Sequence, residues 1–260
     1  MTEHDLHAAA WHRLLDLRRA VDAGGEPPAL DNTEVEAAFH DLARKRRGER
    51  FVVAHLGQSL DGRIATESGH SHYIGGAESL AHLHRLRALV DAVVIGVGTA
   101  LADAPRLTVR HVRGPNPVRV VIDPRGRLAA DASLVVDGLA PTLVVRRPNA
   151  GPPLPAGIEP VAIEPDAEGR IAPATLVDRL AERGLTRLLI EGGGQTVSAF
   201  VAAGAVDRLQ LAVAPLVIGS GRPALSLPVV ATLDQALRPP TKRFDLGSDT
   251  LFELDLRGSA

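Results

Sequence analysis

Two short stretches carry the residue types from which a chemical site could be built. In "LLIEGGGQTVSAF", Leu188 to Phe200, an apolar run ends on Glu191, crosses Gly192, Gly193 and Gly194, and enters a helical pattern at Gln195 or Thr196. Free N–H groups at such a helix start can hold a phosphate, and glycines let the backbone approach an anion closely. A tight strand-to-helix turn with no ligand accounts for a lone triglycine equally well. No Gly-Lys-Ser/Thr follows, and the spacing is not GxGxxG, so neither a Walker loop nor the dinucleotide fingerprint is present.

The second stretch, "AVVIGVGTALADAPRLTVR" (92 to 110), repeats the logic. Gly96 and Gly98 leave an apolar strand, Thr99 begins a helical turn, and Asp103, Arg106 and Arg110 follow. Two glycine junctions beyond the carboxyl ends of strands in one sheet are where a dinucleotide pyrophosphate is expected. An arginine at that mouth, such as Arg110, can grip a phosphate bidentately, although a solvated surface role is the commoner one for any single arginine. A third stretch, "AHLGQSLDGRIATESGHSHYIGG" (54 to 76), starts as a strand and becomes a polar loop, either a solvent turn or a substrate-positioning loop.

The elements that must position these residues follow from periodicity. Short β-branched runs predict strands over 51–57, 91–97, 118–123, 141–146, 185–191, 207–215 and 249–256, with helices over 77–89, 173–183 and 195–203. Strands alternating with helices imply an α/β fold with a mainly parallel sheet. The last strands lack a helical pattern between them, so the sheet is expected to be mixed, with an antiparallel C-terminal edge. Residues 1–50 read as a helical N-terminal extension: Leu6, Ala9, Ala10, Leu14 and Leu17 share a face, "GGEPP" breaks it, and Asp31, Asn32 or Thr33 caps a second helix. Residues 51–260 form the expected main domain.

Composition excludes several function classes. Lys plus Arg (29) nearly balance Asp plus Glu (31), and a net charge of -2 gives no general attraction to nucleic acid or to acidic membranes. Zero cysteines exclude disulfides, thiolate catalysis and Cys-ligated zinc within this sequence. No apolar run approaches the roughly 18–20 residues of a membrane span, and the N-terminus lacks a basic start before an apolar core, so a cytoplasmic location is the default expectation. His70/His72 and His82/His84 invite a metal reading, but residues two apart on a helix diverge and no carboxylates complete either pair; no metal is expected. The run Arg44 to Arg47 reads as a solvated helix end and Trp11 as a packing anchor.

"SLDGRIA", "SHYI", "HRLRALVDAVVIGVGTALADAPRLTVR", "PVRVVID", "IEGGG" and "LAVAPLVIGSG", in this order over about residues 51–256, resemble the riboflavin-pathway pyrimidine reductases, the RibD C-terminal domain family. The resemblance implies a dihydrofolate-reductase-like fold, without the zinc deaminase that precedes the reductase in bifunctional members. It implies NADPH-dependent reduction of 5-amino-6-(5-phosphoribosylamino)uracil: the ribosylamine opens to an imine, hydride reaches the sugar C1, and the nitrogen gains a proton. Carried over position by position, Gly57, Tyr73, Thr99 and Asp103 fall at the cofactor, and Gly193, Gly194, Gln195 and Thr196 at its pyrophosphate. Ser71, Arg87, Leu107 and Arg110 fall at the substrate, the arginines suiting its phosphate. Glu191 falls where a carboxylate can accept from the pyrimidine's amino groups; Asp103 and Glu191 are the candidate catalytic residues. Arg125 and Arg127 are further candidates for the 2′-phosphate of NADPH. A homodimer is implied by resemblance. The chain departs from the family at His55, where lysine is usual, and at Tyr73, where tryptophan is frequent. His55 keeps two other readings open: a reductase of another phosphoribosylated pyrimidine or a pterin, and a diverged nucleotide-binding regulatory protein.

Overall fold

The computed structural model describes residues 3–31, 33–71 and 74–258. Two helices open the chain, α1 (Glu3–Asp22) and α2 (Glu34–Ala43). The order then runs β1 (Phe51–Ser59), β2 (Arg63–Thr66), α3 (Ala77–Leu89), β3 (Ala92–Gly96), α4 (Val97–Asp103), β4 (Val118–Ile122), α5 (Ser133–Val136) and β5 (Thr142–Arg146). It continues with β6 (Ile158–Ala162), α6 (Pro173–Ala181), β7 (Arg187–Ile190), α7 (Gly194–Ala202), β8 (Arg208–Ala214), β9 (Gly221–Pro223), β10 (Thr241–Leu246) and β11 (Asp249–Asp255). Thr33 caps α2 in a reciprocal capping box with Glu36, and Pro173 opens α6, where its missing N–H costs nothing.

The main sheet runs β10-β11-β8-β1-β7-β3-β4-β5-β6. Every pair from β8 to β6 is parallel, and β11 and β10 close the other end antiparallel, so the fold is the expected mixed, mainly parallel sheet flanked by helices. Alternation along the strands divides the core. Val53, Val93, Ile95, Val121 and Leu189 face α1 to α5, whereas Val52, Val94, Val120, Leu188 and Ile190 face α6 and α7. Burying each such side chain contributes about 1.5–3 kcal/mol, so continuous β-branched strands are what make this sheet form. Trp11, Leu14, Phe39 and Leu42 belong to the first of these cores together with Phe51 and Leu86, so α1 and α2 share the packing of the sheet.

Four strands lie where periodicity predicted none. β6 contains Pro160 and β10 is a largely exposed edge, both places where the apolar signal is weakest. β2 and β9 are short and pair only with each other, which turns the expected polar loop after β1 into a folded-back ribbon. The "SLDGR" turn is structural: Ser59 Oγ donates to Asp61 Oδ1 (2.5 Å), and the Asp61 carboxylate accepts the Ile218 and Gly219 amides. These bonds, that from Ser59 first, hold the Asp61 carboxyl down at about 2.

Candidate active site

Both glycine junctions end their strands on the same side of the sheet, β3 next to β7, and border a cleft of about 1330 Å³. β3 runs into α4 through Gly96, and β7 runs through Glu191 and Gly192 into α7, which begins at Gly194 with Gly193 as its N-cap, one residue earlier than expected. The junctions are fastened together: the Gly193 N–H donates to Thr99 Oγ1 at 2.9 Å. Gly192 has φ +99°, the left-handed region, with the Thr99 side chain against it, so a side chain there is strained twice over. Gly194 packs against the carbonyls of Pro223 and Ala224, where a Cβ would collide with backbone. No side chain caps α7, which leaves its first N–H groups for a ligand.

Gly57, Ser71, Arg87, Thr99, Asp103 and Leu107 line this cleft. So do Glu191, Gly193, Gly194, Gln195 and Thr196. Gly57 and Gly98 face open space, with nothing within 4 Å of where a Cβ would stand. A flat cofactor could lie directly on backbone at these two positions, so the residues present fit a dinucleotide. Asp103 is exposed at the last turn of α4, and Ser71 is half-buried. Tyr73 lies outside the described residues. Arg110 is not on the cleft wall itself; it sits midway along the loop that joins α4 to β4, within electrostatic range of Arg87, Arg106 and Glu191. Partial burial, then the charges of Arg87 and Arg106, hold its guanidinium below the usual arginine value, the mark of crowded positive charge.

Glu191 is not a free acid. Both oxygens accept from Arg87, Nη2 at 2.8 Å and Nε at 3.3 Å, and both side chains are buried. Arg87 Nη1 also donates to the Thr108 carbonyl at 3.2 Å. Three of the arginine's donor atoms are thus engaged, which makes Arg87 the holder of Glu191 rather than an open phosphate hook. Each carboxylate oxygen keeps a further lone pair that can accept from a ligand amino group.

His55 lines the cleft with its ring buried and its Nδ1 without a hydrogen-bond partner. Burial, with His82 and Arg87 nearby, depresses it to about 3, so it acts as a neutral imidazole where a lysine would bring a cation. His82 and His84 diverge as their spacing predicted: His82 Nε2 meets Gln210 Oε1 at 2.8 Å, whereas His84 Nδ1 accepts the Arg110 amide at 2.9 Å. Among the described residues no group of three or more His, Asp or Glu side chains could hold a metal. Among them, too, no helix is long and apolar enough to cross a membrane.

Sequence reasoning missed one wall. Glu168, Gly169, Arg170 and Ile171 precede α6 and line the cleft, with Arg125 Nη2 3.9 Å from where a Cβ of Gly169 would stand. The only signal there was "DAEGR", which reads as an ordinary polar turn, with Asp166 accepting from the Glu168 and Arg170 amides.

Comparisons with known proteins identify the family. Residues 50–238 match the RibD C-terminal domain. A 2,5-diamino-6-ribosylamino-4(3H)-pyrimidinone 5′-phosphate reductase of Methanothermobacter thermautotrophicus is 35% identical over 216 residues, 80% of this chain and 99% of that protein. The riboflavin biosynthesis protein RibD of Aquifex aeolicus is 29% identical, over 76% of this chain and 56% of its own length, so this chain spans about half of it. Among solved structures, the deaminase/5-amino-6-(5-phosphoribosylamino)uracil reductase of Thermotoga maritima superposes with a TM-score of 0.67 at 27% identity, covering 80% of this chain and 56% of that one. The Saccharomyces riboflavin biosynthesis reductase Rib7, at 20% identity and TM-score 0.66 over 81% of this chain and 91% of that one, shares the fold. Two ordered glycine junctions, one cleft and a match across most of the sheet make this chain a member of the RibD C-terminal domain family.

Proposed function

We propose that this cleft reduces a phosphoribosylaminopyrimidine to its ribitylamino form with NADPH, the substrate being 5-amino-6-(5-phosphoribosylamino)uracil. The observation that carries the reading is the shared wall of two glycine junctions with the buried Arg87–Glu191 pair between the cofactor side and the cationic loop. NADPH supplies the hydride when bound. The chain's own residues bind and orient. The open amides at the start of α7 receive the pyrophosphate, and the backbone at Gly57 and Gly98 accepts flat rings. Arg125 and Arg127 offer the 2′-phosphate two guanidiniums, the basis for NADPH over NADH, whereas the Arg170 guanidinium on the same cleft is paired with Asp166 and Glu168. Glu191, held by Arg87, accepts from pyrimidine amino groups, and Arg110 takes the sugar phosphate. Holding the two reacting carbons about 3–3.5 Å apart out of water is the protein's main task, because the chemistry is the cofactor's.

A second reading has a specific observation behind it. The archaeal relative that matches over nearly its whole length is named for the 2,5-diamino pyrimidinone, which carries one more amino donor than the uracil. Glu191 suits either ring. The proposal takes the protein to be a cytoplasmic homodimer, checked by light scattering of the full chain, with residues 51–260 carrying the catalytic site. The deciding experiment offers both pyrimidine phosphates with NADPH deuterated at the transferred position. Deuterium at C1 of a ribityl product is expected, and the better substrate identifies the ring. Absence of label from both products contradicts the reading.

A further inference from the structure

The loop that joins α4 to β4 is held in a costly shape. Ala104 (φ 41°) and Leu107 (φ 56°) both occupy the left-handed region without being glycine, and Leu107 is buried in the cleft wall. Such residues persist only where surroundings over-determine them. Here three consecutive residues are pinned by side chains: Arg87 donates to the Thr108 carbonyl, the Val109 N–H donates to Asn116 Oδ1 at 2.8 Å, and the Arg110 N–H donates to His84 Nδ1 at 2.9 Å. Trp11 Nε1 adds a bond to the Arg113 carbonyl at 2.9 Å.

His84 differs from the other anchors. It is wholly buried on α3, one helical turn before Arg87, and its ring meets His111 edge-on at 4.6 Å. Accepting an amide at Nδ1 fixes the proton on Nε2, which is buried without a hydrogen-bond partner. An apolar ring would fill the same space without stranding a polar atom, so the acceptor at Nδ1 is what the imidazole adds there. A cation would abolish that acceptor and stand among Arg87, Arg110 and His111; the imidazole is neutral.

Resting on the functional reading above, the geometry points to His84 as a positioning residue: its neutral Nδ1 holds the Arg110 amide and so sets the backbone from which the Arg110 guanidinium, steadied by its Nη1 donating to Thr108 Oγ1 at 2.8 Å, reaches the sugar 5′-phosphate. The test measures ribose 5-phosphate and NADPH dissociation constants beside substrate KM and kcat, for His84→Phe, His84→Asn and His84→Gln. His84→Phe is expected to weaken ribose 5-phosphate and raise KM about tenfold, the worth of one charge-assisted contact, with kcat and NADPH affinity within about threefold. His84→Asn, which keeps an acceptor at the place of Nδ1, is expected to restore ribose 5-phosphate binding; His84→Gln, which moves it outward, is not. If His84→Phe fails to fold, the Asn and Gln pair decides alone. Equal behaviour of Asn and Gln, equal loss of both ligands, or a wild type that does not bind ribose 5-phosphate overturns the assignment. A wild type that binds ribose 5-phosphate in this pattern but turns nothing over contradicts the functional reading and leaves the role of His84 standing.

Discussion

Glu191 and Arg87 are the residues on which most depends, and they are inseparable. Removing one partner of a buried pair strands the other, at a cost of about 3–5 kcal/mol. Glu191→Gln is therefore expected to lower unfolding stability by about that much and to weaken pyrimidine binding, while NADPH affinity holds within about threefold; denaturant titration and separate ligand titrations check the two effects. Replacing both, as Arg87→Met with Glu191→Leu, is expected to recover stability without recovering turnover, because an apolar pair removes the stranded charge but not the need for an acceptor. Recovery of both would show that the pair only holds the fold. The acid at the end of β7 was legible in "IEGGG", since a carboxylate at a strand end before glycines is an unusual placement. Its partner was legible only as a substrate-side arginine, because α3 and β7 are far apart in sequence and nothing local records their contact.

At the scale of elements, α1 and α2 are built into the sheet's core rather than laid upon it. Leu14 is fully buried there, Arg187 bridges Asp91 and Asp22, and Trp11 reaches the loop bearing Arg110. Leu14→Ala is expected to cost about 2–5 kcal/mol by chemical denaturation although it lies outside the matched residues 50–238. A cost under about 1 kcal/mol would mean that these helices are a detachable appendage. The central parallel strands β3, β5 and β7 were readable because each carries a buried, mostly apolar run. β6, β9 and β10 were not: a proline, a length of three residues and an exposed edge leave no alternation to read. The αL backbone at Ala104, the C-cap of α4, and at Leu107 was equally invisible, since neither residue is a glycine.

Among the described residues three histidines, His55, His82 and His84, are buried and neutral, depressed to about 3, 4 and 3, chiefly by burial. A base whose folded pKa lies below its unfolded value of about 6.5 binds fewer protons folded than unfolded between the two, so its contribution is complete above pH 6.5 and is lost as pH falls towards 3–4. Unfolding stability is expected to be level from pH 7 to 8 and to fall below pH 6.5 by up to about 1.4 kcal/mol per pH unit for each histidine, read by denaturant midpoints. A level profile down to pH 4 would mean that these rings are not held neutral. Net charge and composition placed the chain among charge-balanced globular proteins, and only the assembled cleft joins its distant motifs into one site. The most direct measurement follows NADPH oxidation by the purified chain with 5-amino-6-(5-phosphoribosylamino)uracil and with the same compound lacking its phosphate. Steady turnover of the phosphorylated compound, falling at least about a hundredfold without the phosphate, is the predicted result. Tight NADPH binding with no turnover of either the uracil or its 2,5-diamino counterpart would contradict the account.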